Sequence, residues 1–165
     1  MAQVLAVDPR RCTGCRTCEL VCSHAKTGQF RPTQSAIRRV TVLDDLGFQP
    51  WCCLQCTDAE CVQVCPVQAI RRTPEGWLEV DPDSCIGCSL CSLVCPFGNI
   101  RVIEGYATKC DLCGGDPLCV RWCPRNALAV DEAANLAEAK AAASAAAYRK
   151  LIADQRGGCG VKRVQ

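Results

Sequence analysis

Sixteen of the 18 cysteines in this chain of 165 residues lie in four short quartets. The quartets are Cys12, Cys15, Cys18 and Cys22; Cys53, Cys56, Cys61 and Cys65; Cys85, Cys88, Cys91 and Cys95; and Cys110, Cys113, Cys119 and Cys123. Three close thiolates with a fourth a few residues later are the ligand pattern of bacterial cubane iron–sulfur clusters, in which the fourth cysteine binds a neighbouring cluster. The pattern therefore predicts four 4Fe–4S clusters and a role in electron transfer.

Disulfide bonds and zinc are the two alternative uses of these cysteines. Disulfide frameworks are typical of secreted chains, and Met1–Asp8 lacks the basic stretch and apolar run of a secretion signal. We therefore expect a cytoplasmic protein with reduced thiols. Structural zinc usually takes two separated cysteine pairs, often with histidine. Here the cysteines come in fours and His24 is the only histidine, so zinc, like disulfide bonds, is a weak alternative to iron–sulfur clusters.

Composition and charge exclude several functional classes. Aromatic residues make up only 5% of the chain, so its apolar core is thin and needs bound metal or cross-links. The formal charge of +2 counts thiols as neutral, and four oxidised clusters would change it to about −6, which argues against nucleic-acid binding. No apolar run approaches the roughly 20 residues that cross a bilayer. No nucleophile set, phosphate loop or carboxylate pair indicates a catalytic site.

Short helices and strands are predicted around the quartets. The predicted helices are Glu19–Ser23, Val62–Cys65, Leu93–Cys95 and Val120–Cys123. The predicted strands are Gln3–Val7, Ala69–Arg72, Trp77–Val80, Asn99–Ile103 and Ala127–Val130, and Ala36–Leu43 is predicted to form a hairpin that turns around Asp44–Gly47. Because proline disfavours a helical residue before it, Pro66, Pro96 and Pro124 are expected to end each short helix at the last cysteine.

The C-terminal part of the chain is different in composition. Residues 131–155 are rich in alanine and predict a helix with one smooth face. Packing on the rest of the chain, docking on another subunit and self-association are all open for this helix. Residues 156–165 are glycine-rich and basic, which predicts a flexible tail. Cys52 and Cys159 lie outside the quartets, and neither is predicted to be a ligand.

The cysteine motifs resemble those of a known family. The runs CTGCRTCELVC, CLQCTDAECVQVCP, CIGCSLCSLVCP and KCDLCGGDPLCVRWCP are similar to the four-cluster ferredoxin-type electron-transfer subunits of molybdenum and tungsten oxidoreductases. These include subunits of dimethyl sulfoxide reductase, formate dehydrogenases and tungsten aldehyde oxidoreductase. The resemblance covers about Val4–Val130. It implies an α+β fold for residues 1–130, with two fused, nested bacterial-ferredoxin-like units, followed by the C-terminal helix.

The resemblance also implies which cysteines share a cluster. Segment 12–22 would pair with 110–123, and segment 53–65 with 85–95. The implied ligand sets are Cys12, Cys15, Cys18 and Cys123; Cys22, Cys110, Cys113 and Cys119; Cys53, Cys56, Cys61 and Cys95; and Cys65, Cys85, Cys88 and Cys91. The spacing alone establishes the quartets, and the crossing of their fourth cysteines comes from the family.

The implied function is a non-catalytic relay of single electrons in anaerobic metabolism. One partner would be a large catalytic subunit with a tungsten- or molybdenum-pterin cofactor, an aldehyde oxidoreductase being favoured. The second would be a flavoprotein subunit or a ferredoxin. The alternative is a free-standing polyferredoxin shuttle, or an accessory protein in the maturation of a hydrogenase or formate dehydrogenase. The sequence does not indicate the substrate, the potentials, the direction of electron flow or the stoichiometry.

Overall fold

A computed structural model describes residues 3–42 and 47–158 of the chain. The polypeptide divides into two compact units, Met1–Glu132 and Ala133–Gln165. All four cysteine quartets belong to the first unit. In the second unit, the described residues form one helix, α5, which spans Ala133–Gly158.

Within the described residues, the first unit contains four antiparallel pairs of short strands. The pairs are β1 (Gln3–Val7) with β8 (Leu128–Glu132), β2 (Arg38–Val42) with β3 (Gly47–Trp51), β4 (Ile70–Arg72) with β5 (Leu78–Val80), and β6 (Ile100–Ile103) with β7 (Tyr106–Lys109). In the β1–β8 pair, Leu5 lies opposite Val130. This pairing brings the region of the first quartet next to that of the fourth.

The strands predicted beside the quartets are confirmed to within two residues at each end. The predicted hairpin is also present as the pair of β2 and β3, and of the predicted turn Asp44–Gly47 only Gly47 lies within the described residues, as the first residue of β3. β7 is a strand that the sequence did not predict. Its sequence, YATK, ends in two polar residues, yet Thr108 and Lys109 are both buried in the structure.

The short helices begin and end earlier than predicted in three quartets. They are α1 (Thr17–Thr27), α2 (Glu60–Gln63), α3 (Leu90–Val94) and α4 (Leu118–Arg121). The fourth cysteine of the last three quartets lies beyond its helix, because the following proline excludes the helical conformation from the residue before it. No proline follows Cys22, and α1 therefore continues to Thr27, where Gly28 ends it with a φ of 71°.

The apolar core of the first unit includes several quartet cysteines. One cluster of buried side chains contains Leu5, Ile37, Trp77, Leu112 and Leu128 together with Cys22, Cys52, Cys110 and Cys119. A second, smaller cluster contains Ile70, Cys91, Ile100 and Ala107. The cysteines thus occupy positions that aliphatic residues fill in an ordinary core of this size.

The β2–β3 hairpin is joined to the turn after the third quartet. The Trp51 Nε1 group donates to the carbonyl oxygen of Phe97 at 3.0 Å, and Arg38 donates to that of Gly98 at 2.8 Å. The side-chain amide of Asn99 donates to the Cys52 carbonyl oxygen at 2.7 Å. These bonds join the segment that leads into the second quartet to the turn that follows the third quartet.

The α5 helix differs from its predicted range of 131–155 at both ends. Asp131 and Glu132 extend β8 instead of starting the helix, and α5 continues to Gly158. The predicted tail therefore contributes its first three residues to α5, and residues 159–165 lie outside the described part of the chain. None of the helices in the described residues is long and apolar enough to cross a membrane.

Candidate iron–sulfur sites

Each quartet contains a left-handed residue just before its second cysteine. The φ values there are 71° at Gly14, 53° at Gln55, 67° at Gly87 and 54° at Leu112. Glycine adopts this conformation without steric cost, whereas glutamine and leucine adopt it rarely. The shared conformation shows that all four loops turn in the same way between their first two cysteines. Only the first and third quartets have glycine at this position, so the sequence indicates the left-handed conformation in only two of the four loops.

The Cys-Pro motif of the last three quartets forms one recurrent turn. In each, the N–H group three residues after the cysteine donates to the cysteine carbonyl oxygen, at 3.1–3.2 Å. Proline presets the second position of such a turn. The next N–H group, on Ala69, Asn99 or Ala127, donates to the Sγ atom of the same cysteine at 3.3–3.4 Å. The proline therefore helps to aim a backbone donor at sulfur, in addition to ending the helix.

Three cavities are each lined by four quartet cysteines. The first cavity is lined by Cys12, Cys15, Cys18 and Cys123. The second cavity is lined by Cys53, Cys56, Cys61 and Cys95. The third cavity is lined by Cys65, Cys85, Cys88 and Cys91. In every case, three cysteines come from one quartet and the last comes from another.

The remaining cysteines, Cys22, Cys110, Cys113 and Cys119, form what we term the core group. Three of them pack in the main apolar cluster, with exposures of 7% for Cys22, 8% for Cys110 and 5% for Cys119. Burial raises the pKa of Cys119, and the neighbouring Cys110, Cys22 and Cys113 raise it further. Cys22, Cys110 and Cys119 thus lie together in the interior, and the half-buried Cys113 lies close enough to Cys119 to raise its pKa.

The free thiols differ in acidity with their surroundings. Burial raises the pKa of Cys110 and of Cys18 to about 12, and that of Cys61 to about 11. In contrast, a hydrogen bond with the Thr17 hydroxyl lowers the pKa of the exposed Cys15. Metals bind the thiolate form. Loading of the buried sites must therefore release protons that these thiols hold at neutral pH.

The second cavity is the largest of the three, with a volume of about 170 Å³. The first and third measure about 20 Å³ and about 10 Å³. Among the described residues, no three His, Cys, Asp or Glu side chains converge tightly enough to hold a single metal ion. Four thiols around a cavity, with backbone N–H groups directed at sulfur, are the donor set of a 4Fe–4S cluster. The residues present therefore fit that group.

The surroundings of the first and third cavities differ in charge. The first is lined in part by Arg16, Arg39 and Arg125. The third is lined by Val67, Ile70, Ile86 and Val102 and, within residues 3–42 and 47–158, by no charged side chain. Cys15 and Cys88, one at each of these cavities, are the two exposed quartet cysteines in the described part of the chain.

Two buried polar residues near the second cavity were missed or left undecided by sequence reasoning. Lys109 is 2% exposed and Gln55 is 1% exposed. Lys109 directly precedes Cys110 in the sequence, and this position is compatible with a role beside a cluster and equally with a solvated side chain. Gln55 carried no signal, because glutamine is mostly found at the surface.

Cys52 and His24 do not line any of the three cavities. Cys52 is buried in the main apolar cluster together with Cys22, Cys110 and Cys119. His24 is exposed and stacks on Phe30, with ring centroids 4.6 Å apart. Cys159 is outside the described residues.

Comparison with known proteins places this geometry in a family. Residues 49–104, which carry the second and third quartets, match the family described as "4Fe-4S dicluster domain". YsaA of Escherichia coli K12, named as an electron transport protein, is 39% identical over 140 residues, which cover 78% of this chain and 88% of YsaA.

Two further relatives are named as subunits of oxidoreductases. A subunit of anaerobic dimethyl sulfoxide reductase from Escherichia coli K12 is 37% identical over 74% of this chain and 69% of its own length. The polyferredoxin-like subunit of aliphatic sulfonate oxidoreductase from Pyrococcus furiosus is 37% identical over 72% of this chain and 70% of its own length. Some other relatives are much longer, and the chain spans only 23% to 31% of their length. The chain belongs to the family of iron–sulfur electron-transfer subunits of oxidoreductases, built around 4Fe–4S dicluster domains.

Proposed function

We propose that this protein is a non-catalytic relay subunit that carries single electrons through four 4Fe–4S clusters. The observation that carries the proposal is the lining of the three cavities. Each cavity combines three cysteines of one quartet with the fourth cysteine of another. This is the arrangement that two-cluster ferredoxins use, and it makes each quartet part of two sites.

The proposed ligand sets join the first quartet to the fourth and the second to the third. They are Cys12, Cys15, Cys18 and Cys123; Cys22, Cys110, Cys113 and Cys119; Cys53, Cys56, Cys61 and Cys95; and Cys65, Cys85, Cys88 and Cys91. The β1–β8 pairing supports the first of these connections. It is the pairing that a nested fusion of two ferredoxin-like units requires.

The clusters supply the one-electron chemistry, and the chain sets their spacing, potential and insulation. Backbone N–H groups at Ala69, Asn99 and Ala127 donate to cysteine sulfur, which stabilises added negative charge. Apolar side chains around the third cavity and the core group exclude water, which disfavours that charge. The balance of these two effects sets the potential at each site.

Exposure indicates where electrons would enter and leave. Cys15 at the first cavity and Cys88 at the third are exposed, whereas three cysteines of the core group are buried. A carrier in the interior reaches a partner only through its neighbours, and a carrier at the surface reaches it directly. We therefore assign the first and third cavities to the two ends of the relay.

The proposed partners are a large catalytic subunit and a second redox protein, a flavoprotein subunit or a ferredoxin. Two relatives are named as subunits of multi-subunit oxidoreductases, which supports a catalytic partner for this chain. We favour a pterin-bound tungsten or molybdenum enzyme of the aldehyde oxidoreductase type, in the cytoplasm. The described side chains of α5 are mostly exposed, which supports docking or self-association through this helix.

Anaerobic native purification with iron and sulfide counting tests the proposal. We expect about 16 irons and about 16 sulfides per chain. A large chain that contains tungsten or molybdenum should copurify in fixed proportion. About half that iron content would leave only two clusters, and colourless, zinc-containing protein would overturn the proposal. Iron-loaded protein that purifies without a partner would favour the free-standing shuttle.

Paired cysteine substitutions test the crossing of the fourth cysteines. Cys12→Ser and Cys123→Ser should remove the same cluster signal from the electron paramagnetic resonance spectrum, and the double variant should remove no other. Cys113→Ser is the matched control, because Cys113 and Cys123 share a quartet but belong to different proposed sets. If Cys123→Ser and Cys113→Ser remove the same signal instead, the quartets bind their clusters separately.

Truncation tests the proposed role of α5. Removal of the chain from Ala133 onward leaves the unit that contains all four quartets. We expect the truncated protein to keep its iron and to lose its catalytic partner. Retention of the partner would show that docking uses the first unit alone.

A further inference from the structure

Lys109 is a buried lysine that touches two of the cysteine sites. It is 2% exposed, although lysine is rarely buried without a charged partner. Its ammonium group donates to the backbone carbonyl oxygens of Leu78 and Cys110, each at 2.6 Å. Its side chain also lines the second cavity, beside Cys53 and Cys61. Lys109 therefore connects the wall of the second cavity to the core group.

The charge of Lys109 has no balancing carboxylate among the described residues. The ion pairs found there are Arg10–Asp8, Arg16–Glu19, Lys26–Asp111, Arg71–Glu79 and Arg121–Asp116. The two carbonyl groups satisfy N–H donors of Lys109 but carry no net charge. Burial of a charge without a partner is costly. The arrangement therefore calls for an anionic group close to Lys109, and the second cavity is the space beside it.

Gln55 fixes the position of the two carbonyl acceptors. It is 1% exposed and lies between Cys53 and Cys56 in the sequence. Its Nε2 group donates to the Cys110 carbonyl oxygen at 2.8 Å, and its Oε1 atom accepts the N–H of Leu78 at 2.8 Å. Gln55 and Lys109 thus bind the same two residues of the backbone. The ammonium group is held in a rigid wall and is not free in solvent.

We propose that Lys109 is a fixed cation that raises the reduction potential of the cluster in the second cavity. This inference rests on the proposed function. On reduction, a cluster with four thiolates gains one negative charge, and net charge nearby is one of the factors that set its potential. Because attraction grows with that charge, a buried ammonium group stabilises the reduced form more than the oxidised form. Lys109 acts on the cluster through space and binds no iron.

A redox titration of the anaerobically purified full chain, followed by electron paramagnetic resonance, tests the inference. Lys109→Met removes the charge at similar length, and Lys109→Gln keeps a donor for the carbonyl groups without the charge. Arg71→Met is the matched control, because it removes an exposed charge on β4. At a fixed potential, both Lys109 variants should lower the ratio of reduced to oxidised cluster at least about tenfold. This corresponds to a reduction potential that is lower by about 59 mV. The affected signal should be the one that Cys95→Ser removes, and Arg71→Met should shift none.

Iron counts on the same samples separate this inference from the proposed function. Wild-type protein without clusters would overturn the proposed function itself. Full iron content with unchanged potentials in both neutral variants would overturn only the role of Lys109. Lys109→Arg keeps the charge and should keep the potential near that of the wild type. A downward shift in Lys109→Arg as large as that in the neutral variants would show that side-chain shape, and not charge, controls the potential. If the neutral variants fail to fold, the potential of Lys109→Arg alone decides between charge and shape: a value near that of the wild type supports the role of charge, and a lowered value overturns it.

Discussion

The core group and the third cavity place equivalent thiols in opposite surroundings. Cys110 and Cys119 of the core group are 8% and 5% exposed and pack among buried apolar side chains such as Trp77 and Leu112. Cys88 of the third cavity is exposed, and the neighbouring Ile86 is 63% exposed. The first arrangement makes the cysteines part of the folding core. The second gives them one side on a small core and one side at the surface.

This difference separates stability from access. A site in the interior contributes to the fold because its ligands also fill the core, and binding of the metal group is then folding free energy. A site at the surface contributes less to the fold, but its carrier lies within reach of another molecule. The two sites should therefore respond differently to matched substitutions.

The largest difference is expected for removal of one thiol at each site. Cys110→Ala should lower the free energy of unfolding by more than about 3 kcal/mol, because it leaves a cavity and an incomplete site in the core. Cys88→Ala should lose one cluster and leave the first unit folded. Circular dichroism and iron content per chain measure both effects. Equal loss of folded protein in the two variants would contradict the comparison.

A smaller effect is expected at Gly87, in the loop of the third cavity. A Cβ atom there would lie 2.3 Å from the Gly105 carbonyl oxygen, at a φ of 67°. Gly87→Ala should therefore destabilise the protein by about 2–4 kcal/mol, from the left-handed conformation and the clash together. Gly98→Ala is the control, since Gly98 also has a positive φ but no neighbour closer than 3.9 Å. The midpoint of anaerobic urea unfolding should fall less for Gly98→Ala than for Gly87→Ala. Equal midpoints for the two variants would show that the contact with the Gly105 carbonyl oxygen does not contribute.

The ion pair between Lys26 and Asp111 should contribute less to the free energy of unfolding than the substitution at Gly87 costs. It connects α1 to the fourth quartet next to the core group, with side-chain exposures of 19% and 30%. Although burial opposes it, Lys26 holds the pKa of Asp111 below its ordinary value. Lys26→Met should cost about 1–2 kcal/mol in thermal unfolding, and Arg121→Met, in the exposed pair with Asp116, less than about 0.5 kcal/mol. A larger loss in Arg121→Met would show that burial does not govern these pairs.

The smallest effect on stability is expected at an exposed apolar side chain of α3, the helix that carries Cys91 of the third cavity. Leu93 on α3 is 80% exposed. Leu93→Ser should change the free energy of unfolding by no more than about 0.5 kcal/mol, because the exposed Leu93 side chain makes little apolar contact with the rest of the protein. Thermal unfolding of the isolated chain measures this. A decrease in the free energy of unfolding of more than about 1 kcal/mol would place Leu93 in the folding core, and it would remove the distinction between the surface of α3 and the interior.

The sequence was sufficient for the elements that depend on local chemistry. The quartet spacing predicted the metal-binding class, and β1 follows from a short run of apolar residues, residues 4–7. In the last three quartets the helices end earlier than predicted, because proline disfavours the helical conformation of the residue before it. The burial of Lys109 could not be predicted, since its acceptor at Leu78 is 31 residues away. Left-handed Gln55 and Leu112 were equally hidden, because nothing in their residue type favours that conformation.

The pairing of β1 with β8 has a consequence for the order of assembly. Among the described strands of the first unit, β1 is synthesised first and β8 last, so they cannot pair until almost the whole unit has been synthesised. On the proposed ligand sets, the two sites that combine the second and third quartets have all their ligands once Cys95 has been synthesised, and they can form while the chain is still growing. The two sites that combine the first and fourth quartets must wait. Clusters should therefore be inserted from the middle of the chain outward, and a stalled or truncated nascent chain should carry the inner pair alone.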